Sequence, residues 1–378
     1  MVTVDGETFA GPENAIYAAD RRTVFVAYKR FLRSPFDPGG DIVPAELRVA
    51  KSVDGGQHWD VTILDDQADE EGDVVQQSVA IDGDGSKAVY VSYLVETQNR
   101  AVLRLARSHD GGDTWTLSTL AVGGGEYEQL EVIDANTALL ATAAGSGGGS
   151  SLRLLMTTDG GAHWSDTQVV AGAAWYVGLD RTNAGRIWLS FFNGGTTDLH
   201  TASSGSPNGP WKVRRIAGRA NDPFFTGLFS SVAISNGDVF VCYEDFQPSR
   251  GRSVVRYMRS SDGGQTWQRT DIDSAFAIGW NTRIHVLRTP AQQRTDVFLS
   301  YWFERTMPEF HGRARVAHSA DDGATWEVWS VPDDDHVQPY IDSAVPARNL
   351  QYVSYHVKDI ETGDMVLRVA RLHLGAAA

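Results

Sequence analysis

Side chains that could bind and act on a ligand are concentrated in seven segments of this chain. Aromatic rings stand beside amides, arginines, carboxylates and histidines in PENAIY from Pro12, VVQQSV from Val74, EYEQLE from Glu126, AAWYVG from Ala173, PFFTGLF from Pro223, IGWNTRIH from Ile278 and HVQPYIDS from His336. Three longer stretches share this composition: KRFLRSPFDPGGDIVP (29–44), EDFQPSRGR (244–252) and FERTMPEFHGR (303–313). Aromatic rings stack on the apolar faces of sugars, and amide and charged groups form directed hydrogen bonds with hydroxyls. The combination indicates a sugar-binding site, and the alternative is that Trp175, Phe224, Phe225 and Trp280 only form a hydrophobic plug.

The sequence gives weaker evidence for acid–base, metal-binding and nucleotide-binding residues. His285, His311 and His336 are candidates for acid–base work because imidazole titrates near neutral pH, although a single histidine is more often structural. The acidic runs DDQADEEGD (65–73) and DDD (333–335) could bind Ca²⁺ but lack the spacing of a calcium loop, so we expect solvated acidic loops. The sequence has no zinc spacing, nucleotide fingerprint or phosphate-binding glycine loop. We therefore predict no metal and no cofactor.

A repeated motif, Ser/Thr-x-Asp-x-Gly-x-x-Trp, shows which elements position these segments, and we call it the box. Five copies begin at Ser52, Ser108, Thr157, Ser260 and Ser319, and a degenerate copy runs from Ser203 to Trp211. The starts are 46 to 59 residues apart, which is the spacing of a repeat fold. Asp-Gly and Gly-Gly favour a tight turn between antiparallel strands, the Asp and Ser/Thr side chains can bond the turn's backbone, and the Trp can cover it. We interpret the boxes as scaffold and assign no site residue to them.

Strand-like runs surround every box, and the second strand of each repeat is the most regular. It reads TVFVAYK from Thr23, AVYVSYL from Ala88, RIWLSFF from Arg186, DVFVCYE from Asp238, DVFLSYW from Asp296 and LQYVSYH from Leu350, with a looser copy, ALLATAA, from Ala138. Alternation with β-branched and aromatic residues is typical of strands. Seven such strands predict an all-β, seven-bladed β-propeller of four-stranded blades. Since the last repeat lacks a fourth strand, we expect residues 1–10 to pair with 364–374 and close the ring; six blades is the alternative.

The box resembles the Asp-box, or bacterial neuraminidase repeat, of the sialidase superfamily. Because the boxes recur throughout, the resemblance covers the whole chain. In such a propeller the box turns lie on one face, and the seven segments lie on the other face around a central funnel. Lectins and lyases also carry Asp-boxes, so the resemblance alone does not imply sialidase activity.

The resemblance extends to charged residues of the family's site. The segment FDPGGDIVPAELRVAKSVDGGQHW looks like the one that carries the family aspartate, which makes Asp37 the closest match and Asp41 the second. Arg33 or Arg30 stands where a family arginine could, and Arg283 could be another. These matches imply an acidic and an arginine contribution to a sugar-binding funnel.

The resemblance also implies a nucleophile. HVQPYIDSAV, followed by YHVKDIETGDMVLRVARLHL, is similar to the family's closing tyrosine segment and points to Tyr340, with Glu128 as the carboxylate that activates it. Sialidases use a tyrosine rather than a carboxylate as nucleophile. In a clear departure, PENAIY stands where the family has Arg-Ile-Pro, so Glu13 lies where the first arginine belongs. A three-arginine clamp for a sugar carboxylate is therefore incomplete.

We predict a carbohydrate-active propeller, either a sialidase-like glycoside hydrolase or a polysaccharide lyase, that acts on a glycan or other small-molecule ligand in its funnel. The boxes repeat but the seven segments differ, which favours one enzymatic site; the alternative is a non-catalytic lectin or a protein-binding propeller. The expected catalytic residues are Tyr340, Glu128, Asp37 and His336. The expected substrate-binding residues are Arg33, Gln77, Tyr176, Trp280, Arg283 and His311.

Composition limits the possible partners, disulfides and domain organisation. A net charge of −15 and an isoelectric point of about 5.0 argue against a nucleic-acid partner, and no apolar run is long enough for a membrane span. The one cysteine, Cys242, predicts a core thiol rather than a disulfide. No Pro- or Ser-rich linker divides residues 1–378, so we expect a single domain, acting as a monomer. No signal peptide is visible in the sequence, so the compartment stays open, and secretion would require a signal that has been removed.

Overall fold

A computed structural model describes most of the chain. The described residues are 1–32, 45–66, 72–97, 100–123, 125–144, 150–218, 225–247, 251–275, 277–278, 280–289, 294–304, 312–333, 336–359 and 362–374. They form strands, turns and irregular segments without any helix. Accordingly, the described part of the chain contains no helix that could span a membrane.

In the described ranges, thirty strands form seven sheets, which we call blades 1 to 7. Blade 1 contains β2 (Ala10–Ala18), β3 (Val24–Phe31), β4 (Ala45–Ser52) and β5 (Asp60–Asp65), and blade 2 contains β6 (Gly72–Gly83), β7 (Val89–Thr97), β8 (Arg100–Ser108) and β9 (Thr116–Gly123). Blade 3 contains β10 (Gly125–Val132), β11 (Ala138–Ala144), β12 (Ser151–Thr157) and β13 (Ser165–Val170), and blade 4 contains β14 (Ala174–Arg181), β15 (Ile187–Asn193), β16 (Asp198–Ser204) and β17 (Lys212–Ala217). Blade 5 contains β18 (Phe225–Ser235), β19 (Asp238–Gln247), β20 (Arg252–Ser260) and β21 (Gln268–Ala275). Blade 6 contains β22 (Ala277–Ile278), β23 (Arg283–Thr289), β24 (Arg294–Glu304), β25 (Arg313–Ser319) and β26 (Glu327–Ser330). Blade 7 contains β27 (His336–Val337), β28 (Asp342–Ala347), β29 (Leu350–Lys358), β30 (Met365–His373) and β1 (Val2–Asp5).

The blades form a closed ring. The inner strands contact one another in the order β2, β6, β10, β14, β18, β23 and β28, and β28 contacts β2 again. β1 pairs antiparallel with β30, with Val2 opposite Val369 and Asp5 opposite Leu367, and supplies the outer strand of blade 7. The seven-bladed β-propeller closed by its N-terminal strand is thus confirmed. The pairing is shorter than expected and ends at Asp5, because Ala10 already belongs to the inner strand of blade 1.

The boxes form hydrogen-bonded turns. In the first copy, the Asp54 carboxylate accepts a hydrogen bond from the backbone N–H of His58 at 3.0 Å, and Ser52 Oγ accepts one from the N–H of Gly56 at 2.9 Å. Gly56 has a φ of 84°, a left-handed conformation that favours glycine. The same two bonds recur in the other four clear copies. Trp59 packs on the apolar layer between blades 7 and 1, so the box also stabilises contact between blades.

A second repeated unit joins neighbouring blades, and we call it the clasp. Asp5, at the end of the outer strand of blade 7, accepts hydrogen bonds from Tyr28 Oη at 2.7 Å and Arg48 Nη1 at 2.9 Å, both in blade 1. The same arrangement of aspartate, tyrosine and arginine recurs as Asp65–Tyr93–Arg104, Asp273–Tyr301–Arg315 and Asp333–Tyr355–Arg368. Each clasp ties the end of one blade to the second and third strands of the next.

The clasps correct one sequence expectation. We expected the acidic runs at 65–73 and 333–335 to be solvated loops, but their first members, Asp65 and Asp333, are only 5% and 4% exposed. They are buried because each is bound by a tyrosine and an arginine of the following blade. Residues 67–71 and 334–335 lie outside the described residues.

Candidate functional site

The path of the chain separates two faces of the ring. Adjacent strands in each blade are antiparallel, so an inner strand begins on the face where the second strand ends. The boxes follow the third strands and lie on the opposite face. The seven segments that lead into the inner strands therefore meet around the central axis on one face, which we call the funnel face.

Six blades bend their inner strand at the same point. The bend is a non-glycine residue in the left-handed conformation, with φ between 49° and 72°: Glu13, Tyr127, Tyr176, Phe229, Asn281 and Tyr340. At each bend the pairing with the second strand is interrupted. A left-handed non-glycine residue costs on the order of 1–3 kcal/mol, and such strain is concentrated at functional sites. All six residues line one pocket on the axis of the ring.

This pocket is the centre of the candidate site: it is open to solvent and has a cavity volume of about 50 Å³. Every blade contributes to its wall. The lining residues are Glu13, Asn14, Val79, Tyr127, Glu128, Gln129, Tyr176, Val177, Phe229, Ser230, Asn281, Arg283 and Tyr340. The wall thus combines aromatic rings with two carboxylates, amides and one guanidinium group.

Tyr340 is held in the pocket wall by blade 1. Its carbonyl oxygen accepts a hydrogen bond from Asn14 Nδ2 at 2.9 Å, and the same amide nitrogen donates to the carbonyl of Gly11 at 3.1 Å. Asn14 Oδ1 is buried and accepts no hydrogen bond among the described residues. Burial, and then the negative charge of Glu13, raise the pKa of the Tyr340 phenol above its ordinary value. The phenol is therefore protonated at neutral pH and needs a base to act as a nucleophile.

Two carboxylates line the pocket, in different surroundings. Glu13 Oε2 lies 2.6 Å from Lys29 Nζ, and the lysine side chain is fully buried behind the pocket wall. Glu128 follows the left-handed Tyr127 on β10 and is 2% exposed. Of the two carboxylates, Glu13 is the one whose charge acts on the Tyr340 phenol.

The arginine of the pocket is also bound. Arg283 Nε donates to Asp342 Oδ1 at 2.7 Å, and the other oxygen of Asp342 accepts the backbone N–H of Ile16 at 3.0 Å. These bonds connect the inner strands of blades 6, 7 and 1. Arg283 therefore stabilises the contact between these inner strands and also lines the pocket.

Aromatic rings cover the side of the pocket formed by blades 3 to 6. Tyr176 is central: its ring centroid lies 4.4 Å from that of Tyr127 and 4.2 Å from that of Phe229. Phe229 in turn stacks on Trp280 at 5.9 Å, with 28° between the planes. Trp280 does not line the pocket itself and lies at its rim. The opposite side, from blades 7 and 1, carries the polar groups around Tyr340.

Beyond the pocket, a channel continues between the inner strands toward the box face. Burial, and then repulsion by Glu131, raise the pKa values of Asp82 and Asp180. Burial also lowers the pKa of His285, which lines this channel rather than the pocket. The described residues include no group of three or more His, Cys, Asp or Glu side chains arranged to hold a metal ion.

The structure brings together four of the ten predicted site residues: Tyr340, Glu128, Tyr176 and Arg283 all line the pocket. Trp280 lies at its rim, and His336, on β27, is not among the lining residues. Arg33, Asp37 and His311, together with the second-choice aspartate Asp41, lie outside the described residues, and the side chain of Gln77 is not described. Arg30, the alternative to Arg33, is bound to Glu7 and Glu46 at 2.9 and 3.5 Å.

Besides Glu13, sequence reasoning did not select eight of the pocket residues: Asn14, Val79, Tyr127, Gln129, Val177, Phe229, Ser230 and Asn281. It noted Glu13 only as a departure from a family motif. A signal was present, because aligning the seven segments on their strands places the left-handed residues in one column. That column reads Glu, Tyr, Tyr, Phe, Asn and Tyr in six of the seven blades.

Comparison with known proteins supports the β-propeller fold. No protein-family model matches the sequence, and no curated protein matches it. An α-L-arabinofuranosidase of Fusarium graminearum, solved with an iminosugar inhibitor, is similar in structure with a TM-score of 0.56 and 12% identity, over 95% of this chain and 92% of that one. A leech intramolecular trans-sialidase with bound 2,7-anhydro-Neu5Ac has a TM-score of 0.51 and 13% identity, over 98% and 68%. A xyloglucanase of Xanthomonas campestris has a TM-score of 0.54 and 17% identity, over 97% and 55%. At these identities the similarity establishes the fold alone.

Proposed function

We propose that this chain is a carbohydrate-active propeller whose funnel pocket binds a sugar and cleaves a glycosidic linkage, with Tyr340 and Glu128 as the principal reacting groups. The observation that supports this most is the set of six left-handed non-glycine residues, contributed by six blades, that line one pocket. Strain of this kind persists where the surrounding fold maintains it for function. The six side chains differ, which favours one asymmetric site over a ring of equal ones.

The polar groups of the pocket suit a sugar. Asn14 Oδ1 offers a buried acceptor with no partner among the described residues, and a sugar hydroxyl would satisfy it. The rings of Tyr127, Tyr176 and Phe229 offer apolar surface for the face of a pyranose or furanose. The structural similarity to three propellers that are named as glycan-acting enzymes or hold sugar-like ligands is consistent with this proposal.

The proposed hydrolysis follows from the state of Tyr340. Because burial and Glu13 keep the phenol protonated, its proton must leave as Oη attacks the anomeric carbon, and Glu128 is the proposed acceptor. The glycosidic oxygen leaves with a proton from an acid, for which Asp37 and His336 are the candidates. Water then releases the sugar from Oη, and the protons return by the reverse route.

One observation favours the lectin alternative. A tyrosine with a raised pKa keeps its proton and can donate a hydrogen bond to a sugar hydroxyl, and Glu13 and Arg283 are each already bound to a charged partner. Such a pocket could hold a sugar without cleaving it. A lyase that uses His336 or His311 with Arg283 is a further alternative within carbohydrate chemistry.

Turnover on a glycan panel separates these possibilities. The wild-type protein is assayed on arabino-, xylo- and xyloglucan oligosaccharides, sialyllactose and polyuronates, with binding and product release measured separately. Tyr340→Phe and Glu128→Gln should each lower kcat by about 10²–10⁴-fold on the substrate found, the usual contribution of a positioned acid or base. The matched controls are Tyr352→Phe, whose hydroxyl bonds the Arg21 carbonyl on the box face, and Glu131→Gln in the channel.

Three outcomes are informative. Loss of turnover in both site variants, with retained turnover in both controls, supports the hydrolase proposal. Binding without product release by the wild type identifies a lectin. Turnover that survives in Tyr340→Phe and Glu128→Gln rules out the proposed reacting groups.

A further inference from the structure

Within the described residues, three blades hold the left-handed residue of the preceding blade by a hydrogen bond from a side chain to its carbonyl oxygen. In each case the donor is the residue that follows the left-handed residue of its own blade. The three pairs of donor and acceptor are Asn14 and Tyr340, at 2.9 Å, Ser230 and Tyr176, at 3.0 Å, and Thr282 and Phe229. The same bond thus recurs where blades 7 and 1, 4 and 5, and 5 and 6 meet.

Other blades have an apolar residue at the same position. Val177 follows the left-handed residue of blade 4 and Ile341 follows that of blade 7, and neither side chain can donate a hydrogen bond. Both are buried, with 2% and 0% of their surface exposed. The propeller therefore accepts a branched apolar side chain at this position, so the fold itself does not require the bond.

Tyr340 depends on this bond more than the other two acceptors do. Tyr176 and Phe229 lie inside the continuous strands β14 and β18, whereas Tyr340 lies between the end of β27 and the start of β28. Its φ of 72° is also the largest of the six, against 49° to 58° for the others. A left-handed conformation of a residue other than glycine persists only where the surrounding structure holds it. For Tyr340, Asn14 supplies part of that support.

The Asn14 amide is itself held in one orientation. Its nitrogen carries two N–H groups and donates to the carbonyl of Gly11 at 3.1 Å as well as to that of Tyr340. Rotation of the amide by half a turn would place its oxygen against two carbonyl oxygens and break both bonds. Asn14 is only 6% exposed, so water competes poorly for these bonds. Tyr340 is therefore fixed to a side chain that has little freedom to move.

The residue before Asn14 also acts on Tyr340. Burial, and then the negative charge of Glu13, raise the pKa of the Tyr340 phenol. Glu13 is fixed in turn by Lys29, with 2.6 Å between Oε2 and Nζ. Two successive residues of β2 thus determine where Tyr340 lies and which charge its phenol faces.

We propose that Asn14 is a positioning residue for Tyr340, whose carbonyl it fixes so that the phenol is held at the place in the pocket where it meets the sugar. This inference rests on the proposed function, in which Tyr340 is a reacting group. It adds a residue of another blade on which the reactivity of Tyr340 depends. Asn14 acts through the backbone of Tyr340 and takes no part in proton transfer.

The test compares Asn14→Thr with Asn14→Val in the full-length protein. The two new side chains have nearly the same shape, but only threonine can donate to the Tyr340 carbonyl, as Thr282 does to that of Phe229. Incorporation of 3-fluorotyrosine gives each tyrosine a ¹⁹F resonance, and Tyr340→Phe identifies the resonance of Tyr340. We expect this resonance to shift or broaden in Asn14→Val and to stay close to its wild-type position in Asn14→Thr.

Kinetics on the substrate found in the glycan panel provide a second readout. Asn14→Val should lower kcat by about 10–10²-fold with little change in KM, because a displaced reacting group loses its alignment with the bond that it attacks. Asn14→Thr should recover most of the lost kcat. Rates are measured well below the melting temperature of every variant, so that loss of folded protein does not lower kcat.

Thr282→Val is the matched control. It removes the same kind of bond at the contact between blades 5 and 6, away from Tyr340. It should lower the melting temperature, as Asn14→Val does, but leave the Tyr340 resonance in place. Asn14→Ala removes the donor with a smaller side chain, which keeps the comparison valid if the valine variant does not fold.

The failure of this inference differs from the failure of the proposed function. An unchanged Tyr340 resonance in the donor-free variants, or equal kcat values for Asn14→Val and Asn14→Thr, overturns the inference and leaves the proposed function standing. No turnover of any glycan by the wild type overturns the proposed reaction and the part of Asn14 in it. The ¹⁹F comparison then still decides whether Asn14 holds Tyr340, because it does not depend on turnover.

Discussion

The clasp at Asp5 makes ring closure testable with a single substitution. Asp5 lies on the short N-terminal strand, is 6% exposed, and binds Tyr28 and Arg48 of blade 1. We expect Asp5→Ala to weaken the closing blade because it removes the acceptor of both bonds. All four clasps tie an outer strand to the blade that follows it in the chain, but only β1 is held in its own blade by pairing with a strand from the other end of the chain.

The expected loss of stability follows from the buried groups that Asp5→Ala leaves without their acceptor. Removing one partner of a buried ion pair costs about 3–5 kcal/mol, and a buried hydroxyl left without an acceptor costs about 1–3 kcal/mol. Arg48 retains Glu46, whose Oε2 lies 2.6 Å from Nη2, so the loss should fall near the lower figures. We expect about 3 kcal/mol, which corresponds to a decrease in melting temperature of about 4 °C for a domain of 378 residues, at an unfolding entropy of about 2.1 cal/mol/K per residue.

The assay is thermal unfolding followed by circular dichroism, with limited proteolysis of the N-terminus. Asp60→Ala, at the exposed first residue of β5, is the matched control and should melt like the wild type. A double-mutant cycle with Arg48→Met should give a coupling free energy of at least about 1 kcal/mol. An Asp5→Ala variant that melts with the wild type, and whose N-terminus resists protease equally, would refute the view that this clasp closes the ring.

Two further predictions concern the scaffold. Ser52→Ala should lower the free energy of unfolding by about 1–3 kcal/mol, because Ser52 Oγ accepts the Gly56 N–H and donates to Asp54. The control Ser86→Ala, in an exposed turn, should leave stability unchanged. Loss of glycan binding by a folded Ser52→Ala protein would mean that the box supports the site directly. Glu244 is 2% exposed, and burial raises its pKa to about 8. The bound proton therefore stabilises the folded state fully below about pH 4, and this stabilisation is lost as the pH rises toward 8. Glu244→Gln should therefore gain in melting temperature over the wild type as the pH is raised from 5 to 8, and parallel melting curves for the two proteins would contradict the assignment.

The sequence predicted the fold well because the information was local and repeated. Each box encodes its own turn, and each second strand shows its alternation within a few residues, so counting them led to seven blades. The same segments led to Tyr176, Glu128, Arg283 and Tyr340, because inner strands must start beside the axis.

What the sequence did not predict depends on distance and on backbone conformation. Asp65 and Asp333 looked solvated because their tyrosine and arginine partners lie in the next blade, 22 to 39 residues away. The left-handed conformation of Phe229 and Asn281 has no signature in composition, since neither residue is a glycine in a turn motif. Those two features, long-range pairing and strain held by the ring, are properties of the assembled fold.

The most direct test of the account is a crystal structure of the protein soaked with the oligosaccharide that it binds most tightly. The account predicts sugar density in the pocket, in contact with Tyr340 and Asn14. Sugar bound on the box face instead, with the funnel pocket left unoccupied at saturating ligand, would contradict it.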